Sequence, residues 1–478
     1  MKIVKNYLLT LLVLLIVLSP VILTLGTVLF TPKVYSDSYV GVLDEKYERL
    51  HSVEGEKIVV IGGSSVAFGL DSEYIENALG MPVVNFGLYG ALGTVSMLEL
   101  SLSGISEGDT VILAPELDRQ MLSEFFSARE VLRAIDDDYS MLFDFSVDHK
   151  LSLLGGAYAH AAEKLGYAVT DTRPPISGIY SAESFNSYLD IASGLRRKNV
   201  MSLYYDPTTE VTLDKSIVDG EFIKTVNSYV SDCRERGAEV YFSFCPINRL
   251  ALGENIDYAE IYEFSDYLDS MLDCEVIGDI GSYILDEAYF YDTNFHPNDF
   301  GVIVRCNRLI ESLSEELELG YIELYDPPAP ELPKYDYSYE GEDENSRYFT
   351  YSVENNGCLR ITGLTDEGKQ QSELTVPLGH EGRKVFSIGY GAFSGGSVTK
   401  LTVTEDTNLR NFLGGAFDGS RIEDLYIYYD YTDDENKLFP APDFGGLTIH
   451  VPESCAFISG YDWSAGSTGG FDVVRIKK

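Results

Sequence analysis

The segment Lys57-Ile-Val-Val-Ile-Gly-Gly-Ser-Ser-Val-Ala-Phe-Gly69 decides the fold that we expect for this chain. Its apolar run, Ile58–Ile61, predicts a buried parallel strand. The run ends at Gly62-Gly63, and two serines then precede a predicted helix. A serine at such a turn lies at the carboxyl edge of the sheet, where open α/β folds bind their ligands. Its hydroxyl either caps the helix or serves as a nucleophile near helix N–H groups.

Strand and helix patterns alternate from residue 56 to about residue 320, which predicts an α/β domain with a parallel sheet covered on both faces. The strand candidates are Lys57–Ile61, Pro82–Phe86, Thr110–Ala114, Glu239–Phe244 and Glu275–Ile277. The helix candidates are Ser72–Leu79, Thr94–Leu102, Arg119–Ala134, Ser216–Arg236, Tyr258–Leu272 and Asp299–Leu317. Residues 137–215 interrupt the alternation, and we interpret them as a mainly helical insertion beside the substrate edge.

Residues 1–31 are predicted to form a signal anchor. No charge occurs from Tyr7 to Phe30, and these 24 residues are enough to cross a bilayer at about 1.5 Å per residue. Lys2 and Lys5 precede the span, which favours a cytoplasmic N-terminus and an extracytoplasmic main part. A cleaved signal peptide is the alternative, but its apolar region is usually only about 7–15 residues long. Residues 32–55 would then be a juxtamembrane segment.

The 478-residue chain is strongly acidic, with a formal net charge of −41 at pH 7. This charge argues against nucleic acid and anionic membrane surfaces as partners. None of the six cysteines forms a C-x-x-C pair, so we expect no metal site, and the composition suggests no organic cofactor. Cys245 and Cys274 lie on or beside predicted core strands and are expected to be buried apolar residues. A domain of this size needs no disulfide framework, and a single bridge among the six cysteines is the alternative.

A proline-rich segment, Asp326-Pro-Pro-Ala-Pro-Glu-Leu-Pro333, marks a stiff acidic linker that we place at residues 321–350. Residues 351–478 follow, and they contain an internal repeat. The pairs of copies, each offset by 24 residues, are Gly391-Ala-Phe393 with Gly415-Ala-Phe417, and Val398-x-x-Leu401-x-Val403 with Ile422-x-x-Leu425-x-Ile427. Weaker flanking copies are Leu374-x-Val376 and Leu447-x-Ile449.

This repeat predicts a short solenoid in which each unit buries its leucines against the next. Over residues 355–455 it resembles bacterial surface leucine-rich repeats of the BspA-like type, which implies a protein or glycan ligand for the repeats. An unrelated small β-domain with chance similarity is the alternative.

A serine nucleophile needs a base, usually a histidine held by a carboxylate. His296 lies in Tyr291-Asp-Thr-Asn-Phe-His-Pro-Asn-Asp-Phe-Gly301, between the last predicted strand and the last helix, and therefore at the same edge as Ser65. Asp292, four residues earlier, can turn back onto the imidazole. The alternative is a loop histidine beside a helix-capping asparagine. The other histidines, His51, His149, His160, His380 and His450, are expected to have surface, packing or repeat-domain positions.

With these residues, positions 56–320 resemble the SGNH/GDSL hydrolase superfamily, which implies a flavodoxin-like three-layer sandwich. The first family block matches Gly63-Ser64-Ser65-Val66-Ala67-Phe68-Gly69 and implies Ser65, not Ser64, as the nucleophile. The last block implies Asp292 and His296 as the other members of the triad, at a spacing of four where three is common.

The second family block matches Asn85-Phe-Gly87-Leu-Tyr-Gly90. It implies that the N–H groups of Ser65 and Gly90 form the oxyanion hole, with Gly87 as the alternative glycine. Asn85 is a candidate substrate contact.

The third family block departs from the pattern. The chain has Val111-Ile-Leu-Ala-Pro-Glu-Leu-Asp118 where the family carries an oxyanion-donating Asn. An ionised carboxylate cannot donate a hydrogen bond, and losing one donor costs about 10²–10³ in rate. We therefore expect a weak hydrolase or one that depends on a partner. Glu116 could instead contact substrate or be a solvated charge.

Two functions follow from these observations. The first is an extracytoplasmic serine esterase or O-acyltransferase acting on acyl esters of a cell-envelope polysaccharide or other glycan. Its layout resembles proteins of teichoic-acid D-alanylation and alginate acetylation, which implies a membrane-bound acyltransferase partner. The alternative is a non-catalytic surface adhesion protein with a degenerate scaffold and partner-binding repeats. A phosphate-binding loop is disfavoured because the glycine-rich turn lacks the P-loop lysine.

Overall fold

The computed structural model describes residues 18–136, 138–170, 173–174, 178–197, 199, 201, 209–253, 255–330, 337–354, 357–409, 411–412, 415–428, 446–453, 457–458, 461–462 and 472–477. The helices are α1 (residues 18–30), α2 (Leu43–Ser52), α3 (Ser64–Gly69), α4 (Ser72–Leu79), α5 (Thr94–Leu102), α6 (Ala128–Ala134), α7 (Val147–Thr170), α8 (Gly220–Glu235), α9 (Tyr258–Met271) and α10 (Asp299–Glu316). The first strands are β1 (Ile58–Gly62), β2 (Val83–Gly87), β3 (Thr110–Leu113), β4 (Glu239–Phe242), β5 (Ile247–Asn248), β6 (Glu275–Val276) and β7 (Ile284–Leu285).

The remaining strands belong to the C-terminal part of the chain. They are β8 (Phe349–Val353), β9 (Leu359–Leu364), β10 (Glu373–Thr375), β11 (Gly379–His380), β12 (Arg383–Ile388), β13 (Lys400–Val403), β14 (Asn411–Phe412), β15 (Asp424–Ile427), β16 (Thr448–Pro452), β17 (Phe457–Ile458), β18 (Tyr461–Asp462) and β19 (Asp472–Ile476). The chain is therefore mixed α/β, and the prediction of an α/β class is confirmed at that level.

The first sheet contains the five strands predicted from the sequence, in the order β2-β1-β3-β4-β6 and all parallel. Every residue of β1, β2 and β3 is buried. Strands that are buried on both faces are expected to be continuously apolar, and this explains why Ile58–Ile61 carries no alternation.

Alternate residues of these strands enter different cores. Ile58 and Val60 pack in the same core as residues of α4 and α10, such as Ile75 and Val302. Residues that point the other way pack with α5 and α8 in a second core, whose members include Val59, Ile61, Val84, Phe86, Leu98 and Val226. The sheet is thus covered by helices on both faces, as the sequence predicts.

One helix is much shorter than its sequence pattern predicts. We expected a helix over Arg119–Ala134, but α6 begins only at Ala128. Two polar side chains explain the difference. Asp118 Oδ1 accepts from Met121 N at 2.8 Å and closes a turn, and the Ser127 side chain accepts from Glu130 N as the N-cap of α6. The residues between them form a loop at the carboxyl edge of the sheet.

Two segments outside the predicted helices also pack on the α/β core. Within residues 32–55, α2 buries Leu43 and Leu50 in the core beside α5 and the sheet. Within the insertion, α7 is helical over Val147–Thr170, whereas the described residues 178–197 contain one short 3₁₀ turn and isolated bridges. Within the part of the insertion that the structure describes, the α-helix therefore lies in the first half.

The C-terminal part contains a second parallel sheet, in the order β10-β13-β15-β16-β19. Its inward-facing apolar residues stack in register, and the ladder runs from the buried Leu374, Leu401, Leu425 and Ile449 to the partly buried Val473. The Gly391 and Gly415 turns are also stacked, with Gly391 N donating to Gly415 O at 2.9 Å. Phe393 and Phe417 lie face to face, with ring centroids 5.6 Å apart.

None of the helices within the described residues is long and apolar enough to span a bilayer. Residues 7–17 of the predicted span lie outside the described residues. The five cysteines in the described ranges are buried, including Cys245 and Cys274, as expected. Cys455 lies outside the described residues.

Candidate active site

Ser64 and Ser65 open α3 immediately after β1, but their side chains have different surroundings. Ser65 is fully buried, and its Oγ has no hydrogen-bond partner among the described residues. Ser64 lines a cavity, and its Oγ donates to Glu116 Oε1 at 3.0 Å. The serine that the family resemblance implies as nucleophile is therefore the more enclosed of the two.

Two buried arginines hold the backbone of α3. Arg305, on α10, donates to the carbonyl oxygen of Ser65, and Arg196 donates to that of Phe68. The guanidinium of Arg305 passes so close to the end of α3 that a methyl group at Gly69 would lie 2.2 Å from its Nη1. This contact gives a physical reason for the glycine four residues after Ser65. Burial without a paired carboxylate lowers the pKa of Arg305, which stays an arginine cation at any working pH.

His296 and Asp292 form a buried pair. His296 Nδ1 lies 2.7 Å from Asp292 Oδ1, and the second carboxylate oxygen of Asp292 accepts from Tyr180 OH at 2.6 Å. Asp292 is fully buried, and His296 is 5% exposed. The imidazole also stacks on Phe68, with centroids 4.1 Å apart and planes 5° apart. With Nδ1 committed to the carboxylate, Nε2 is the ring nitrogen that can act as a base.

Phe68 links the two halves of the site. It lies on α3, three residues after Ser65, and its ring supports the His296 imidazole. The structure thus brings the serine-bearing helix and the His296–Asp292 pair together. Ser65 Oγ and His296 are not hydrogen-bonded to each other here. In ligand-free sites such catalytic hydrogen bonds are often long and tighten only when substrate binds.

Glu116 takes the position where the sequence pattern would have an oxyanion-donating Asn. Its Oε1 accepts from the backbone N–H of Ser65 at 2.7 Å as well as from Ser64 Oγ. Its Oε2 is buried without a hydrogen-bond partner among the described residues, and a methyl group at Gly63 would lie 2.4 Å from it. The carboxylate therefore occupies the Ser65 N–H group, which the family resemblance implies as an oxyanion donor.

The cavity beside these residues has a volume of about 620 Å³. It lies where β1, β2 and β3 end, since each of these strands leads into residues that line it. The lining residues include Ser64, Gly90, Glu116, Asp118, Tyr180 and His296. Gly90 thus faces the same cavity as His296, and its carbonyl oxygen accepts from Gln120 Nε2 at 3.0 Å.

The electrostatics of the cavity are dominated by carboxylates. Burial, together with the nearby charge of Glu116, raises the pKa of Asp118 although Met121 N donates to it. Burial and the charges of Glu116 and Asp292 also raise the pKa of Tyr39, whose hydroxyl donates to Leu88 O at 2.7 Å. A second negative charge, such as an oxyanion, would be costly here unless a donor or a cation compensated for it.

Asn85, the candidate substrate contact, lies in a buried network instead of among the cavity-lining residues. Its Nδ2 donates to Asp190 Oδ1 at 2.7 Å and to Val66 O at 3.1 Å. The fully buried Lys46 donates to Asn85 O at 2.9 Å and to Leu189 O at 2.7 Å. Asn85 thus connects β2 to α3 and to the insertion. It supports the helix that carries the two serines without lining the cavity.

Sequence reasoning missed four residues that shape the site: Tyr180, Arg196, Arg305 and Lys46. Each reaches the site from a distant segment, as Tyr180 does in contacting Asp292 across 112 positions. A buried Arg on a helix otherwise lined with apolar residues, as at Arg305, was the one signal that could have been noticed.

In comparisons with known proteins, no family model and no curated sequence matches this chain. The function must therefore be argued from the site itself.

Proposed function

We propose that this protein is a serine-dependent esterase or O-acyltransferase, with Ser65 as nucleophile, His296 as general base and Asp292 as its orienting carboxylate. The observation that carries the proposal is the buried His296–Asp292 pair facing a cavity at the carboxyl edge of the sheet, beside the helix that begins with the two serines. A buried histidine held by a carboxylate, with a serine hydroxyl nearby, is what activation of that serine requires, and the His296–Asp292 contact of 2.7 Å supplies the first part.

The strand order supports the finer assignment of the fold. Numbered along the chain, the five strands of the first sheet run 2-1-3-4-5, which is the flavodoxin-like order of doubly wound sheets. Helices on both faces fit a three-layer sandwich of the SGNH/GDSL kind. Fold alone does not establish activity, so the chemistry rests on the site residues.

The proposed reaction proceeds in two steps. His296 Nε2 takes the proton from Ser65 Oγ, which attacks the ester carbonyl carbon, and the departing alcohol then leaves with that proton. The resulting acyl-enzyme passes its acyl group to water in an esterase or to a sugar hydroxyl in an acyltransferase. Asp292 keeps the Nδ1 proton in place, and Tyr180 holds the second oxygen of Asp292.

Glu116 sets the rate in this scheme. The Ser65 N–H must be released from Glu116 before it can join Gly90 N–H in holding the oxyanion. This requirement supports a slow enzyme, or one in which a bound partner or acceptor displaces the carboxylate. A cell-envelope carbohydrate or other acylated glycan as substrate, and a membrane-bound acyltransferase as partner, complete the proposal.

The cell membrane is the location that we propose. The uncharged stretch up to Phe30 supports a single-pass anchor with a cytoplasmic N-terminus, and the main part of the chain would then be extracytoplasmic. For residues 351–478 we propose a short leucine-rich solenoid. Its support is the 24-residue offset between Leu401, Leu425, Ile449 and Val473 in one parallel ladder.

The second candidate function is a non-catalytic adhesion protein. The observation that favours it is again Glu116, because a site that donates its oxyanion N–H to its own carboxylate resembles a degenerate scaffold. In that case the repeat sheet would carry the function by binding a protein or a glycan.

Labelling with a fluorophosphonate probe separates the two functions. We expect the full chain in detergent to be labelled, Ser64→Ala to keep its labelling, and Ser65→Ala to lose it. If Ser64→Ala alone loses labelling, Ser64 is the nucleophile, since its Oγ lines the cavity. If the folded wild type is not labelled at all, the adhesion function replaces the enzyme.

A further inference from the structure

The long helix of the insertion carries an exposed apolar face. Six large apolar side chains of α7 are between half and three-quarters exposed, and we call them the α7 stripe: Val147, Leu151, Leu154, Tyr158, Leu165 and Val169. At 100° per residue all six fall within an arc of about 60°. At 1.5 Å per residue they extend over about 33 Å. No charged residue lies in that arc.

The orientation of the stripe is fixed by the opposite side of the helix. At the first turn, His149 Nδ1 lies 2.7 Å from Glu99 Oε2, and its ring stacks on Phe126 at 3.9 Å. Towards the other end, Glu163 pairs with Arg133, and the buried Lys164 pairs with Asp136. The helix is held at both ends by polar contacts, so the stripe cannot turn inward without breaking them.

The C-terminal end of α1 lies against the same helix. Lys164 Nζ donates to Val28 O at 3.1 Å, and Asp136 Oδ2 accepts from Val34 N at 2.9 Å. The large apolar residues of α1, such as Leu23 at 69% and Phe30 at 86%, are exposed like those of the stripe. Seventeen further residues precede α1, and residues 7–17 among them are uncharged.

We propose that the α7 stripe binds the surface of a lipid bilayer, lying in the interface with its apolar side chains among the upper acyl chains. An apolar helix face of this kind is buried about 5–10 Å into the boundary between headgroups and acyl chains. The stripe is joined to the end of an uncharged helix through Lys164, and a neighbouring membrane-seeking segment raises the local concentration of lipid at the stripe. The inference does not depend on the esterase chemistry.

The charges of α7 specify the kind of lipid. Its basic residues are already engaged: His149 with Glu99, Lys150 with the carbonyl of Phe143, and both His160 and Lys164 with Asp136. With a chain net charge of −41, attraction to anionic headgroups is absent. The stripe should therefore bind zwitterionic phosphatidylcholine, and its binding should not weaken with added salt.

Tryptophan quenching by brominated phosphatidylcholine tests the proposal on the full chain. Trp463, the single tryptophan, is first replaced by Phe, and Tyr158→Trp then reports from the stripe. Ser152→Trp is the matched control, since Ser152 is exposed on the same helix about 140° away from Val147. We expect Tyr158→Trp to shift its emission to the blue and to lose emission most strongly to bromines high on the acyl chains, whereas Ser152→Trp keeps its emission.

Other results would overturn the proposal in distinguishable ways. If the chain floats with vesicles but the Tyr158→Trp emission is not quenched, the anchor is in the bilayer and the stripe does not contact lipid. A blue shift that occurs without vesicles and follows dimer formation in sedimentation assigns the stripe to a second copy of the chain. If the chain does not float with vesicles, both the anchor and the membrane-bound stripe are wrong. Labelling of Ser65 by the fluorophosphonate would be unaffected, so this outcome is distinguishable from a failure of the proposed esterase.

Discussion

His296–Asp292 and His450–Asp424 are histidine–carboxylate pairs with nearly the same local geometry. In the α/β region, His296 lies 2.7 Å from Asp292 and stacks on Phe68 at 4.1 Å. In the repeat region, His450 lies 2.7 Å from Asp424 and stacks on Tyr426 at 4.0 Å. Distance and ring stacking therefore do not distinguish a candidate catalytic pair from a structural one.

The surroundings of the two pairs differ. Asp292 is fully buried, takes a second hydrogen bond from Tyr180, and lies beside a cavity and a serine-bearing helix. The side chain of Asp424 is 43% exposed, and the pair joins neighbouring strands β15 and β16 across the outer face of the repeat sheet. What makes a histidine a candidate base is burial of its carboxylate and a nearby hydroxyl, not the pair alone.

The largest expected effect comes from removing the charge of each carboxylate in turn. Asp292→Asn should lower the rate of p-nitrophenyl acetate hydrolysis by about 10³–10⁴, because the imidazole loses its fixed tautomer and the stabilisation of its protonated form. Asp424→Asn should leave that rate unchanged. Rates are measured on the full chain, with circular dichroism as the check on folding. Equal loss in both variants would show that the comparison is wrong.

The next largest expected effect is on stability, and it tests whether the α/β region and the repeat region unfold separately. Leu425 is fully buried in the repeat ladder and Ile61 in the first sheet. Leu425→Ala should cost about 2–5 kcal/mol and lower only the unfolding transition of the repeat region, while Ile61→Ala should lower only that of the α/β region. Scanning calorimetry with limited proteolysis assigns the transitions. A single transition that moves in both variants would mean that the two regions unfold as one unit.

The third effect tests the role of Glu116. Glu116→Asn should raise hydrolysis by about 10², because it frees the Ser65 N–H and adds a neutral donor in place of a carboxylate. Asp118→Asn is the matched control, as it removes a charge from the same cavity without touching the Ser65 N–H. Lower activity in Glu116→Asn would instead assign Glu116 to substrate binding.

Much of the α/β region could be predicted from the sequence. All five strands of its sheet are found in their expected order along the chain, because a buried parallel strand has a strong local pattern of apolar residues. The repeat also has a local signal, since Leu401 and Leu425 pair in register at the same offset as in the sequence. The roles of Ser65 and Gly90 stay predictions.

What could not be predicted depends on contacts between distant segments. The hydrogen bond of Tyr180 to Asp292 and the occupation of the Ser65 N–H by Glu116 leave no periodicity or spacing to detect. The expected helix over Arg119–Ala134 was wrong in its first half because polar turn chemistry at Asp118 outweighed helix propensity. Local turn chemistry thus decided the loop that lines the cavity, and contacts between distant segments decided which backbone donors remain available.

The smallest expected effect concerns buried charge, which also separates the two regions. In the described repeat residues the buried polar side chains are Ser387 and Thr407, whereas the α/β region buries Lys46 completely. Burial lowers the pKa of Lys46 to about 7, despite the attraction of Asp190. Between pH 7 and the pKa of a free lysine, about 10.4, the unfolded chain binds a proton that the folded chain does not.

Lys46 should therefore make the protein more stable as the pH rises above 7, by at most about 1.4 kcal/mol per pH unit. Urea unfolding of wild type and Lys46→Met at pH 7.5 and 8.5 measures this, and the difference between the two proteins should change in that direction. Lys400→Met, at the exposed face of the repeat sheet, is the control and should show no such change. A pH-independent difference would mean that Lys46 stays protonated in the fold, held by its hydrogen bonds to Asn85 and Leu189. In that case the hydrogen-bond network of Lys46, Asn85 and Leu189 would depend on a permanently charged Lys46. Removing that charge would then destabilise the fold, although the burial of Lys46 by itself favours the neutral form.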